Sequence, residues 1–568
     1  MEQHTGPLCH LPLVRWWGVS LVVTQLAAWS LMCAVVQSAS VAVLMAQETG
    51  PIDARWEVFA NSELDNYLRL MQLAGRSTWY PWSIRALSRK QVEGLAPEND
   101  LDPWSRRFRF EARDDEKLGW AVIRPTRSVV FNSSFPYGTN DGAVWAGKGL
   151  TNALQAGGAA WWGPVSLTVS PIVFLSQNDA FELKDTGLSG PLRFADPRNP
   201  ENIDKPQRFG DRPYGRVDLG ESTLRIETSG ITLGASTATQ QWGPAVQFPL
   251  MMGANAPGFA HIFLGSANPF SIGIGRLHAR AIGGRLQESE YTARSGAAES
   301  RFGTGLLVSF SPWGTTGLEL GVSRFFHISW REGGPNSDDL LRIFEPTRSE
   351  ENTASASGNL TENQLVSVFG RWTLQASKLE VYFEYIRDDF AANFADVMGE
   401  PEHNAGYVLG LQKAWEPDVG RVMRFTAEVL NTRKGQIREL RLQSNLYWHG
   451  TVRQGHTNRG QILGSPAAYG GSGLMLAIDS YSSWGKWRAS LLREARDEGL
   501  ARCTTFACGV PSADGPTQDV MYSLGGEVLW FKGRWEWTGG LTVTWNLNRN
   551  FESDQWNLRP ALLSRVSF

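Results

Sequence analysis

Apolar and polar residues alternate with a period of two along most of the chain after about residue 118. In the segment 379–385, Leu, Val, Phe and Tyr alternate with Glu, Tyr and Glu, and the segment 366–374 alternates in the same way. The connection between them, 375–378, is short enough for a hairpin. Each strand therefore has one apolar and one polar face. This pattern predicts an antiparallel sheet that is either a soluble sandwich or a membrane barrel.

The rest of the chain limits how it could cross a membrane. The longest uncharged stretches beyond the N-terminus, 149–178 and 228–275, are interrupted every few residues by Gly, Pro, Asn or Gln. A helix that spans lipid needs about 20 mainly apolar residues, so a membrane role requires a closed barrel. The 59 Gly, 24 Trp and 20% charged residues suit tight turns and aromatic girdles. A soluble propeller or sandwich remains open on composition alone.

Both ends of the chain favour an exported barrel. Residues 16–47 carry no charge and contain an apolar core followed by small residues, with a plausible cleavage site after Ala42 and a second after Ala46. A retained membrane anchor is the alternative. The last residues, 562–568, alternate and end on Phe568, the aromatic signal expected by the barrel-assembly machinery. We therefore predict an all-β, transmembrane antiparallel β-barrel in the cell outer membrane.

The length of the alternating region predicts the number of strands. About 450 residues, at roughly 25 residues for a strand and its connection, give on the order of 18 strands. We divide the chain into a signal peptide (1–46), a periplasmic or plug helical segment (47–117) and the outer-membrane β-barrel (118–568).

The helical segment is predicted from apolar residues near helical spacing. Leu64, Leu68 and Met71 follow a possible N-cap at Ser62. The segment 81–95 repeats the pattern, and we expect a second helix that begins near Pro81 and Ser83. The three apolar side chains should face protein, either at the periplasmic end or inside the barrel.

Two cysteines remain in the mature chain after Cys9 and Cys33 leave with the signal peptide. Cys503 and Cys508 lie in a stretch rich in Gly, Pro and Ser, and two cysteines this close in an exported chain predict a loop disulfide. A metal pair is the alternative, but no His or further Cys lies nearby. We therefore expect no metal site and no cofactor.

Four segments resemble the Wzi-like capsule-assembly family of outer-membrane proteins. They are TWYPWSIRALS at 78–88, the run from NDGAVW at 140–171, TQQWGPAVQFPL and the residues after it at 239–264, and YWHGTVRQGHTNRGQILGSP at 447–466. The resemblance covers about 55–568. It implies a barrel plugged by its helical segment, which acts as a lectin-like anchor for capsular or other surface polysaccharide. Surface polysaccharide and outer-membrane lipid are then the expected partners of a monomer.

Binding of a saccharide requires aromatic faces for sugar C–H groups and polar side chains for hydroxyl and carboxylate groups. The candidates with this chemistry are Trp242, Trp448, His449, His456 and Arg459. The alternative is that Trp forms the interfacial girdle, that a Gly-flanked His caps a turn and that Arg459 pairs with a lumenal carboxylate.

Signals for other functions are weak. Glu380 and Glu384 share a strand face at a separation near the upper limit for a glycosidase, but charged residues that line a lumen are the commoner explanation. The chain has no Gly-x-Ser-x-Gly, His-Glu-x-x-His or phosphate-loop motif. A net charge of −3 without a basic block excludes nucleic acid as an expected partner. We predict a non-enzymatic polysaccharide anchor, with a porin or uptake channel as the alternative and an outer-membrane hydrolase as the third class.

Overall fold

The protein is represented by a computed structural model. The described residues are 52–53, 57–97, 102–105, 107–109, 117–197, 199–292, 300–330, 333–344, 362–388, 401–433, 444–450, 452–495 and 518–567. The predicted signal peptide, the predicted disulfide of Cys503 and Cys508, and Phe568 lie outside these residues.

The described strands form a closed antiparallel barrel of 18 strands, three of which are interrupted, as predicted from the length of the alternating region. In chain order they are β1 (Leu118–Asn132), β2 (Gly149–Trp162), β3 (Val165–Val169 and Ile172–Ser176), β4 (Tyr214–Asp218 and Thr223–Thr228), β5 (Ile231–Ser236), β6 (Ala260–Ser266 and Phe270–Ser271), β7 (Gly275–Gln287), β8 (Ser300–Pro312), β9 (Leu318–Ser329), β10 (Glu362–Leu374), β11 (Leu379–Asp388), β12 (Ala405–Asp418), β13 (Arg421–Asn431), β14 (Ser472–Ser482), β15 (Gly485–Ala495), β16 (Val520–Lys532), β17 (Trp535–Arg549) and β18 (Ser553–Val566). The last strand closes the barrel by pairing with the first, from Ala561 opposite Val130 to Arg565 opposite Thr126.

The period-two alternation separates lipid from lumen. On the predicted hairpin of β10 and β11, Val368 and Phe383 are exposed on the outer wall, whereas Glu380 and Glu384 are buried inside. The connection is a 3₁₀ turn at Gln375–Ser377, and the two strands pair from Leu374 opposite Leu379. Because the apolar face points outwards, the sheet is a membrane barrel rather than a sandwich.

The two ends of the barrel differ in the length of their connections. One end, the turn end, has tight turns such as 163–164, 375–378 and 533–534, whereas the other, the loop end, has long connections such as 177–213 and 432–471. Exposed tryptophans surround the turn end: Trp120, Trp162, Trp313, Trp372, Trp484, Trp530, Trp535 and Trp537. Such a girdle marks a membrane interface, and short turns are typical of the periplasmic side.

The N-terminal segment is helical in part. Helix α1 spans Glu63–Leu73, and the Ser62 side chain caps it by accepting a hydrogen bond from the backbone N–H of Asp65, as predicted. Helix α2 spans only Arg89–Glu93 and begins at a capping box formed by Ser88 and Gln91. None of the described helices has the length and apolar character needed to cross a membrane.

The predicted start of the second helix near Pro81 and Ser83 is wrong. Ile84–Arg85 is instead a short strand that pairs with Gln241–Trp242 from a distant loop. The backbone there is satisfied by a neighbour in space, which periodicity along the sequence does not reveal.

The N-terminal segment lies inside the barrel at the turn end. Leu64, Leu68 and Met71 are buried, which confirms that they face protein. They belong to a core, the turn-end core, that also contains Trp104 and Phe108 from the same segment. Its wall residues come from the inner faces of four strands: Ala414, Val422, Tyr481 and Leu529.

Buried ion pairs and carboxylates attach this segment to the wall. Arg69 of α1 lies 2.7 Å from the Glu380 carboxylate, which also binds Arg371 at 2.7 Å. On β9, the Glu319 carboxylate accepts backbone N–H groups of the segment, including that of Trp82 at 2.9 Å. Glu380 and Glu319 of the wall therefore have fixed partners in the segment.

Two long loops, 237–259 and 432–471, contribute described residues that pack inside the lumen against the strands from β6 to β14. Glu428 of β13 accepts hydrogen bonds from three consecutive N–H groups, 246–248, and Glu384 accepts from 250–251. The loops contribute Trp242, Phe248, Tyr447 and Tyr469 to a second core, the lumen core, which packs on inward residues from β6 to β14.

Candidate functional site

A polar cleft opens at the loop end. Its volume is about 240 Å³, and its walls come from the loops 133–148 and 177–213, from residues 460–466 and from the loop ends of β16 and β17. The segments that line it are far apart in sequence and are brought together because the loops fold inwards over the lumen core.

Trp145 supplies the aromatic surface of the cleft. Its ring is half-buried and packs edge to face on Phe209, with the ring centroids 5.0 Å apart. Phe209 in turn stacks on Tyr214 at 4.5 Å, so a rigid aromatic group holds the indole. The indole N–H has no hydrogen-bond partner among the described residues. It can therefore donate to a ligand.

Amide and carboxylate groups surround the indole. The Gln461 side chain donates to the carbonyl of Asn255 at 2.9 Å, which orients the amide within the cleft. On the opposite wall, the Asn546 amide donates to Asp519 at 2.7 Å, and Asp519 also accepts the N–H of Asn550. These groups are held in place by the protein before any ligand binds.

Cations complete the lining. Lys205 lies 3.1 Å from Asp196 and Lys184 lies 2.8 Å from Glu552, with both lysine side chains partly exposed. The guanidinium of Arg549 lies over the Phe135 ring at 4.1 Å. An aromatic ring, amides and cations in one cleft have the chemistry to bind the C–H, hydroxyl and carboxylate groups of a sugar.

Arg459 lies beside the cleft but points away from it. Its guanidinium binds Asp218 at 2.5 Å and Gln287 at 2.7 Å. It therefore joins the last residue of the first segment of β4 to the last residue of β7. Its neighbours Gly460 and Gln461 line the cleft instead. Arg459 itself lines a second cavity of about 270 Å³ on the other side of Phe209. The predicted pairing with a lumenal carboxylate is therefore present, and a third of the side chain stays exposed.

The structure does not bring the other predicted site residues into the cleft. Trp242 and His456 have no exposed surface and belong to or contact the lumen core. His456 bonds to His327 at 2.8 Å and to the carbonyl of Met251 at 2.6 Å, and burial lowers its pKa to about 4. Trp448 is half-buried, and His449 is buried and accepts the N–H of Val452 at 2.9 Å. Their roles in binding stay predictions.

The carboxylate pair considered for catalysis is engaged in structural bonds. Glu380 binds two arginines, and Glu384 accepts from Ser367 as well as from the loop backbone. Both carboxylates are buried beneath the lumen-filling segments. They give no positive indication of catalysis.

Trp145 and Gln461 are site residues that composition and chemistry alone did not single out. Both lie within segments that carry the family resemblance, 140–171 and 447–466. The resemblance of these two segments to the family was therefore the only sign of both residues in the sequence. That the two segments lie on one cleft is evident only in the folded barrel.

A family model described as capsule assembly protein Wzi matches residues 131–556. The chain belongs to this family. A solved structure described as Wzi, an outer-membrane protein involved in group 1 capsule assembly in Escherichia coli and a carbohydrate-binding β-barrel, aligns with a TM-score of 0.59 at 14% identity, over 90% of this chain and 99% of that chain. The two barrels therefore share a fold.

Other solved barrels align more weakly. Pseudomonas aeruginosa OpdQ has 9% identity and a TM-score of 0.36, over 78% of this chain and 97% of that chain. A BenF-like porin from Pseudomonas fluorescens Pf-5 has the same identity and TM-score, over 79% and 99%. A search of curated proteins gave no match. As a Wzi-family barrel with a lipid-facing outer wall, the chain is an outer-membrane protein.

Proposed function

We propose that this Wzi-family barrel binds capsular or other surface polysaccharide at its loop end and anchors it there without catalysis. The observation that carries the proposal is the cleft in which Trp145, with its free indole N–H, faces amides and cations. The description of the Escherichia coli Wzi barrel as carbohydrate-binding supports the same function here.

The lumen favours an anchor over a channel. The turn-end core and the lumen core contain side chains from the N-terminal segment and from three loops, and these pack directly on inward wall residues. A porin needs an open aqueous path through the barrel. Conductance of the purified barrel in planar bilayers separates the two functions.

The cleft also favours binding over hydrolysis. Asp519 is held by the Asn546 amide and the N–H of Asn550. The inward pair Glu380 and Glu384 is occupied by arginines and backbone N–H groups. We therefore propose a non-enzymatic role.

The decisive experiment measures binding of surface polysaccharide, extracted from the source cells, to the purified barrel. We expect Trp145→Ala to weaken binding on the order of tenfold, as is typical when a buried aromatic contact is removed. The control is Trp484→Ala, which removes an exposed tryptophan of the turn end and should leave affinity unchanged. A wild-type barrel that binds no polysaccharide contradicts the function.

The predicted contacts Trp448, His449 and Arg459 adjoin the same loops, and we carry them forward with Trp242 and His456 as further contacts to test. The second arm of the experiment is Arg459→Ala in cells. The anchor function predicts normal barrel assembly with polymer shed into the medium. We further propose that the barrel is a monomer, contacts outer-membrane lipid, and is inserted by recognition of its C-terminal strand through Phe568.

A further inference from the structure

The connection after β9 folds back onto the outside of the barrel. Helix α3 (Ser337–Leu341) and the 3₁₀ turn Arg342–Phe344 pack against β8 and β9. Ile343 is buried there against three outward-facing wall residues: Phe302, Phe326 and Ile328. The neighbouring residues Arg301 and His327 point into the lumen, so this small core lies on the lipid side of the wall.

A groove of about 550 Å³ lies between this helix and the outer wall of β3 to β7. Leu340 of α3 forms one side. The other side consists mainly of small and apolar residues: Leu167, Val169, Leu224, Ala235, Ile262 and Gly283. The helix can approach this closely because Gly283 has no side chain, since a Cβ there would lie 2.6 Å from the Leu340 Cδ2. Unlike the open barrel wall, the groove is walled on two sides.

The cationic side chain of Arg285 lies at the loop end of the groove. Arg285 lines both the apolar groove and the polar cavity that contains Arg459. Its guanidinium lies over the Trp330 ring at 5.2 Å, and its Nε donates to Ser300 at 2.9 Å. Both terminal nitrogens have no partner among the described residues, so they are available to an anion.

We propose that this groove binds a phosphorylated glycolipid of the outer leaflet, with an acyl chain between α3 and the wall and a phosphate on Arg285. The groove opens on the lipid-facing side of the wall, so the acyl chains of the membrane surround it. It lies towards the loop end, which is the extracellular side of an outer-membrane barrel. A guanidinium with two free terminal nitrogens suits the bidentate recognition of phosphate. This site is distinct from the cleft at Trp145.

The test uses the full barrel, stripped of lipid in detergent, and native mass spectrometry. Diphosphoryl lipid A and its dephosphorylated form are titrated separately. We expect Arg285→Gln to weaken the binding of the diphosphoryl form about tenfold, the effect of losing a charge-assisted pair, and to leave the dephosphorylated form unchanged. The control is Arg276→Gln at the turn end of the same strand, away from the groove, because the Arg276 guanidinium likewise lies over a tryptophan ring, that of Trp313 at 5.0 Å.

A second variant tests the apolar part of the site independently of Arg285. Ala235→Trp should fill the groove and weaken the binding of both lipid forms, whereas Ala427→Trp on the outward face of β13 should not. The proposal is overturned if the wild-type barrel binds neither lipid, if it instead forms dimers that Ala235→Trp abolishes, or if Arg276→Gln loses as much affinity as Arg285→Gln. Polysaccharide binding should be unaffected in all four variants.

Discussion

Glu380 illustrates how single buried charges hold the N-terminal segment in the lumen. Its carboxylate accepts hydrogen bonds from Arg69 of α1 and from Arg371 of β10, and all three side chains are almost fully buried. We expect Glu380→Gln to lower the free energy of unfolding by about 3 kcal/mol, because the buried Arg69 loses its ion-pair partner and the buried Arg371 keeps only Glu319, 4.0 Å away. Urea titration in detergent micelles, followed by tryptophan fluorescence, measures this change.

The control at the same scale is an exposed pair. Asp418 and Arg421 lie 3.2 Å apart at a turn, and both side chains are largely exposed. Asp418→Asn should cost less than about 1 kcal/mol, because water screens the pair. Equal losses from Glu380→Gln and Asp418→Asn would mean that the buried carboxylate does not hold the segment.

Single residues also mark the limit of what the sequence predicts. The chemistry of Arg459 was evident from its type and from the glycines around it, and a lumenal carboxylate was one of its two predicted partners. Its partners Asp218 and Gln287 lie far away in the chain. No local pattern reveals them. Trp145 was hidden for a similar reason, because the chain has 24 tryptophans and tryptophan is also the residue expected in the membrane girdle.

At the scale of an element, the inward loop that contains His456 should respond to acid. Burial lowers the pKa of His456 from 6.5 to about 4 in the folded loop. When the loop opens and exposes the imidazole to water, the pKa returns to about 6.5. Both states are neutral above pH 6.5. As the pH falls from 6.5 to 4, the open state alone gains a proton, and the stability of the loop decreases.

Hydrogen exchange measures this opening directly. We expect exchange at residues 452–466, corrected for its intrinsic pH dependence, to show weaker protection at pH 4.5 than at pH 7. His456→Gln removes the titrating group and should flatten the difference. An unchanged pH dependence in His456→Gln would assign the effect to another group, such as His327, which contacts His456 at 2.8 Å.

Strands and helices were predictable where a single environment, such as lipid, determines the order of polar and apolar residues along the element. The strands of the β10–β11 hairpin were predicted because every second residue faces lipid. Helix α1 was predicted because its cap and its apolar face are local features. The start of α2 was not, since Ile84–Arg85 pairs with a loop strand more than a hundred residues away. The inward course of 237–259 was equally hidden, because its N–H groups are satisfied by Glu384 and Glu428 of the wall.

For the whole molecule, length and periodicity predicted the barrel and its strand number, but not how completely the lumen is filled. A polar inward residue is compatible with water and with a plug alike. The two possibilities differ in what the residue binds, which is water in an open lumen and the plug in a closed one. Arg371 of the wall donates to the carbonyl of Tyr80 in the N-terminal segment as well as to Glu380 of the neighbouring strand.

Closure at the turn end leads to a prediction about conductance. On the side of β16 and β17, several inward positions carry small residues that are only partly buried: Gly525, Thr538, Gly540 and Thr542. The lumen core contains no described residue from these two strands, so this side is less tightly packed. At the turn end it is covered by Trp104, whose ring contacts Phe531 at 5.3 Å, and by Arg107, which lies 3.5 Å from Glu536.

Removing residues 57–109 should therefore open a path along β16 and β17, although the loops of the lumen core stay in place on the other side. We expect the unmodified barrel to show no resolvable current steps in planar bilayers and the deletion variant to show discrete ones. Asp418→Asn, which leaves the segment intact, should stay silent. Heat-modifiable gel migration verifies that each variant has formed a barrel. If the unmodified barrel already conducts in steps of porin size, the segment does not close the lumen, and the channel function gains over the anchor.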